Sequence, residues 1–182
     1  MRYNIFLFLA IFMAACNPMA DENAQSVSYY QTYFQKQIDT LLMDGYGVLR
    51  HTTEMESDEV DQVQLDSMSK ERWEQELRGF IHAGYVDELD TANYYFASDK
   101  SGKFEIRRFT AKDTLAPLQQ WEETKVNGTI QLITWQTQKR SVLMDRWVEM
   151  AYQPLKGYRI RMKEDAAWSA PRDYEIFAEF IK

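Results

Sequence analysis

The chain has 182 residues and a formal net charge of −7. At 45% hydrophobic and 14% aromatic residues it has enough apolar mass for one packed domain, which excludes a largely disordered chain. Its acidic balance excludes a general nucleic-acid binder, since phosphate contacts need an excess of Lys and Arg, and its single Cys excludes a disulfide framework or multi-cysteine zinc site.

The N-terminus reads MRYNIFLFLAIFMAAC. Arg2 gives a positive start, and Ile5 to Met13 form an apolar run too short for a membrane span of about 20 residues. Residues 1–15 therefore read as a secretory signal. Met13-Ala14-Ala15-Cys16 resembles the bacterial lipobox, usually Leu-Ala/Ser-Gly/Ala-Cys, with Met13 in place of Leu. The resemblance implies cleavage before Cys16, diacylglycerol on its thiol and acylation of the new amine. Two or more acyl chains make such an anchor stable. Losing residues 1–15 removes Arg2 and leaves the remainder one unit more acidic. Residues 16–25 are polar and aperiodic, as expected of a tether, and 26–182 read as a single domain. Asn17 follows Cys16 where Asp would retain an enterobacterial lipoprotein, so outer-membrane transport is expected. Asp21 and Glu22 resemble the acidic export signals of surface lipoproteins, several residues further downstream.

A first helix is expected from an N-cap at Ser26 or Ser28 to about Leu42, with Val27, Tyr30, Phe34, Ile38 and Leu41 on one stripe. Gly45 fits a left-handed stop. Gly47 to Glu56 reads as a strand, Ser57-Asp58 as a turn and Glu59 to Leu65 as a second strand. Asp66 or Ser67 is expected to cap a helix over Met68 to Ala83, with Trp73, Leu77, Phe80 and Ile81 inward. Lys70–Glu74 and Glu74–Arg78 have the spacing of outer i,i+4 pairs, and Gly84 ends the helix.

After Gly84 the hydrophobic period switches from 3.6 to 2. Strands are expected at Asn93 to Ser98, Lys103 to Thr110, Leu118 to Val126, Thr129 to Lys139, Ser141 to Tyr152, Gly157 to Lys163 and Tyr174 to Ile181. The connections are short, and Asn127-Gly128 is the strongest hairpin signal. Short links favour an antiparallel meander. Arg159, Arg161 and Lys163 share one face of their strand, and Asp173, Glu175 and Glu179 share one face of theirs. If these strands are neighbours, the two rows form cross-strand pairs. Ile130 and Leu132 oppose Ile133 and Trp135, so apolar groups fall on both faces there. The expected fold class is α+β, with N-terminal helices packed on a curled, half-barrel-like antiparallel β-meander.

Chemical motifs are sparse. His51 and His82 sit on different elements without metal-ligand spacing, so no metal site is expected. There is no GxSxG, GxGxxG or GxxxxGK[ST]. The carboxylate clusters Asp87-Glu88 with Asp90, and Glu122-Glu123, are the candidates for acid/base hydrolysis. Asp58, Glu59 and Asp61 lack the Gly and closing Glu of a calcium loop.

The segments YQTYFQKQIDTLL (30–42), 48–53, WEQELRGF (73–80) and MAYQPLKGYRI (150–160), together with the lipobox, resemble a family of uncharacterised Bacteroidota outer-membrane lipoproteins. The matched motifs are structural. The resemblance implies an envelope location and brings no activity, cofactor or catalytic residue. The expected function is a non-enzymatic binding or assembly module without a cofactor. Cys16 is its lipid-attachment residue and membrane link, and an apolar ligand is held in the curled sheet. The alternative is an envelope protein–protein interaction factor acting through a surface patch or sheet edge. A carboxylate-based hydrolase is the third reading.

Overall fold

The computed structural model describes residues 29–55, 59–83 and 92–182. Val27, the Ser57-Asp58 turn, Gly84 and the Asp87, Glu88 and Asp90 cluster lie outside the described residues, as do Cys16 and the segments expected to be signal and tether. Helix α1 spans Tyr29–Met43, and strands β1 (Gly47–Glu54) and β2 (Glu59–Leu65) form a hairpin. Helices α2 (Lys70–Glu76) and α3 (Arg78–Ala83) follow. Seven strands complete the chain: β3 (Tyr94–Ser101), β4 (Phe104–Ala111), β5 (Leu118–Val126), β6 (Thr129–Arg140), β7 (Met144–Gln153), β8 (Gly157–Ala166) and β9 (Arg172–Ile181). They form one antiparallel sheet in the order β2-β1-β9-β8-β7-β6-β5-β4-β3. The meander β3–β9 is thus extended by the first hairpin, which pairs with β9. Among the described residues no helix is long and apolar enough to cross a membrane.

The helices lie on one face, here called the inner face. Tyr30, Phe34, Ile38 and Leu41 of α1 are all buried, as their spacing requires. Phe34 touches the rings of Phe80, Trp135 and Tyr152, and Trp73 meets Phe180 edge-on. Phe80 also contacts Trp135, Tyr152 and Tyr158. Edge-to-face pairs of this kind add to plain area burial. On the sheet, Trp121, Trp135, Met150, Ile160 and Ile176 stand in register across β5 to β9, forming the floor beneath the helices.

The second helix departs from expectation in two ways. Its cap is Ser69, whose Oγ accepts from the Arg72 N–H at 3.3 Å, whereas Asp66 accepts from Gln64 Nε2. Met68 and Trp73 occupy the two positions of a hydrophobic staple and both join the core. The helix also breaks at Leu77, which leaves the helical region at φ −93° and ψ 7°. The break still leaves Trp73, Leu77 and Phe80 fully buried. Lys70 pairs with Asp39 of α1 at 3.5 Å instead of with Glu74 on its own helix.

The sheet is neither closed nor strongly curled, which corrects the half-barrel expectation. Its edge strands β2 and β3 do not pair with each other. The hairpin β1–β2 widens the sheet beyond β9, and α1 to α3 take up the inner side where a curled sheet would hold a ligand. A one-residue irregularity resolves the double-faced strand: Thr124 pairs with Leu132, but Lys125 pairs with Ile130. Skipping Gln131 turns Ile130 to the inner face with Ile133 and Trp135, and leaves Leu132 on the outer face. Ser141 to Leu143 precede β7 as a loop, where the Ser141 Oγ accepts the Leu143 and Met144 N–H groups.

Candidate functional site

Among the described residues, the acids singled out in the sequence do not converge. Glu122 and Glu123 are consecutive on β5 and therefore point to opposite faces. Glu122 lies on the outer face, where Arg108 holds it at 2.5 Å. Glu123 is fully buried on the inner face. There Tyr30 Oη donates to Glu123 Oε2 at 2.8 Å, and Lys125 Nζ lies 2.7 Å from Oε1, with Arg107 beyond at 3.7 Å. Glu59 and Asp61 lie exposed on the edge strand β2. His51 is on the outer face opposite Phe177, and His82 is in α3. Among the described residues no group of three His, Cys, Asp or Glu is placed to hold a metal ion.

A second carboxylate, Glu76, with 9% of its side chain exposed, had no signal in the sequence. Tyr158 Oη donates to Glu76 Oε1, and Arg50 donates to Oε2 at 3.2 Å. Burial, and next the Glu76 carboxylate, push the Tyr158 hydroxyl far above its ordinary range. Glu123 on β5 and Tyr158 on β8 are three strands apart, about 14 Å at the usual strand spacing, beyond the separation of paired glycosidase acids. Both carboxylates already carry a hydroxyl donor and a cation. Their evident work is to tie helices to sheet, α1 to β5 and α2 to β1 and β8.

Among the described residues the outer face has no helix on it. Along β8 and β9 it carries ion pairs: Arg159 with Glu175, and both Arg161 and Lys163 with Asp173 at 3.1 and 3.3 Å. The rows on β8 and β9 thus meet as expected for neighbouring strands: Lys163 faces Asp173 directly, while Arg159 and Arg161 reach diagonally, since Arg161 stands in register with Glu175. The hydrogen bond from Arg161 holds the Asp173 carboxyl below its ordinary range, the reverse of a general acid. At the end of the face near the β7–β8 turn lies an open groove of about 680 Å³, with Leu132, Ala151, Leu155 and Phe177 as its apolar lining. Leu155 has φ +58° and is itself exposed.

The chain matches no protein-family model and no curated protein.

The groove therefore stands on its own chemistry: an apolar strip rimmed by charged side chains. Its signal in the sequence was Phe177. That residue interrupts an otherwise acidic alternation of Asp173, Glu175 and Glu179 on the polar side of β9, and it is 44% exposed.

Proposed function

We propose that the protein is a lipid-anchored, non-enzymatic assembly module of the cell envelope, held a tether's length from the outer membrane through Cys16, that engages an envelope protein through the outer face of its sheet. The observation that carries the reading is the outer-face groove. A strip of Leu132, Ala151, Leu155 and Phe177 remains open to solvent, rimmed by Lys156, Glu179 and the Arg159–Glu175 ion pair. Exposed apolar strips rimmed by polar groups are where proteins meet partners. Two measurements test the two halves. Radiolabelled palmitate is expected in the wild-type protein and absent from Cys16→Ser. A photo-crosslinking residue at Phe177 is expected to give one reproducible adduct in cells, which the same residue at exposed Gln75 on the helix side does not give. No adduct at Phe177, or the same adduct at both sites, overturns the interaction reading.

The volume of the groove favours a second reading, in which it takes a small apolar ligand, since such sites span about 300–1,000 Å³. Mass spectrometry of a solvent extract of the purified protein separates the two. A stoichiometric apolar molecule lost in Phe177→Asp supports the ligand, and a clean extract supports the protein partner.

A further inference from the structure

The β3–β4 hairpin differs in charge from the rest of the molecule. From Tyr94 to Lys112 it carries Lys100, Lys103, Arg107, Arg108 and Lys112 against Asp99 and Glu105, a local excess of positive charge in an acidic protein. Arg107 and Arg108 are drawn to Glu123 and Glu122 of β5. Lys100, Lys103 and Lys112 form no ion pair within 4.0 Å among the described residues, and Lys112 Nζ donates to the Ala92 carbonyl at 2.6 Å. Glu105 stands in register with Lys100 on one side and Lys125 on the other.

The same hairpin exposes three aromatic rings, Tyr95 at 65%, Phe96 at 52% and Phe104 at 48%. Each has a cation over it: Lys112 at 5.3 Å from Tyr95, Arg107 at 5.9 Å from Phe96 and Lys103 at 5.4 Å from Phe104. Strand β3 is also a sheet edge, open on one side.

Charge and chain path together name the occupant. Exposed rings flanked by lysines match the headgroup layer of an anionic bilayer, with rings at the interface and ammonium groups at the phosphates. A run of ring contacts also links the first turn of α1 to this hairpin. Tyr30, in the first turn of α1, touches Trp121, which touches Phe109, which touches Phe96, with centroids 5.3, 5.4 and 4.9 Å apart. Residues 16–28 ahead of α1 reach at most about 45 Å when fully extended.

We infer that the β3–β4 hairpin docks edge-on onto an anionic lipid surface, with Tyr95, Phe96 and Phe104 in the headgroup layer and Lys100, Lys103 and Lys112 at the phosphates. Its position next to a lipidated N-terminus rests on the anchoring proposed above; its own affinity for lipid does not. Residues 17–182, which keep the whole described core and lack Cys16, are the protein to use. Co-sedimentation is measured with vesicles of phosphatidylcholine containing phosphatidylglycerol and with phosphatidylcholine alone. The expected result is partition onto the anionic vesicles only, weakened by salt. Lys100→Glu/Lys103→Glu/Lys112→Glu is expected to lower it by about tenfold or more, and Tyr95→Ser/Phe104→Ser to lower it as well. Lys70→Glu/Lys139→Glu/Lys156→Glu, of equal charge change, is expected to lose much less. Circular dichroism establishes that each variant is folded. Equal partition onto both vesicle types, equal loss in both lysine triples, or sedimentation without vesicles through self-association of the β3 edge overturns the inference. Vesicle binding without palmitate on Cys16 in cells would overturn the anchor alone, and palmitate without vesicle binding would overturn the docking alone.

Discussion

Glu123 and Glu76 share one solution to burial: each carboxylate takes a tyrosine hydroxyl on one oxygen and a cation on the other. An unpaired buried carboxylate would be costly, so each partner is a test of the arrangement. Tyr30→Phe takes a donor from Glu123 and is expected to cost about 1–3 kcal/mol in denaturant unfolding. Lys125→Met strips the nearest cation from the same group and is expected to cost more, about 3–5 kcal/mol. The tyrosines also set an alkaline limit. Burial raises Tyr33, Tyr152 and Tyr158 above the ordinary phenol range, with Tyr29, Tyr33 and Glu76 respectively the next cause. Their native-state preference for the neutral form stabilises the fold fully below the unfolded phenol value of about 10 and is lost as pH rises beyond it. Phenolate absorbance from these three is therefore expected to appear together with loss of near-UV circular dichroism, above the ordinary phenol range. Ionisation of all the tyrosines in a still-folded protein would contradict this.

The hairpins were the most legible elements because their signals are local. Asn127 and Gly128 have φ of 52° and 77°, as a tight two-residue turn requires, and strand β2 begins and ends where alternation places it. The kink at Leu77 was hidden because Trp73, Leu77 and Phe80 keep helical spacing through it. The register skip at Gln131 was hidden for another reason: a bulge is a relation between two strands, and neither strand records it alone. Of the candidate site, the charge rows on β8 and β9 and the misplaced Phe177 could be read from alternation. Glu76 could not, because nothing in a helix sequence says which acid will meet a tyrosine 82 residues away. Turn geometry supplies a direct test. A Cβ at Gly157, where φ is +146°, would lie 1.9 Å from the Ala178 carbonyl oxygen, whereas one at Gly45, where φ is +69°, meets open space. Gly45→Ala is expected to cost about 1–2 kcal/mol, the ordinary price of a left-handed backbone. Gly157→Ala is expected to cost distinctly more and to disturb β8–β9 pairing. Thermal unfolding of the two variants side by side checks the order.

Across the whole molecule, stability is expected to fall from the middle of the sheet toward its edges. Strands β6 to β9 have partners on both sides, and their inner faces hold Trp135, Tyr152, Tyr158 and Ala178, all buried. Strands β2 and β3 have one partner each and expose most of their side chains. Native-state hydrogen exchange is expected to be slowest in β6 to β9 and fastest in β2 and β3. Uniform protection across all nine strands would show instead that the sheet opens only as a unit.

The seating of β1 against β9 sets an order in time. Gly47 lies opposite Ile181 and Val48 opposite Phe180, so the first strand of the chain finds its second neighbour only in the last ten residues. Contacts so distant along the chain slow folding, because the loop must close before they contribute. A polypeptide that emerges N-terminus first thus carries its β1–β2 hairpin without that neighbour until β9 has been made. The nine-strand sheet is therefore complete only once β9 has emerged and paired with β1.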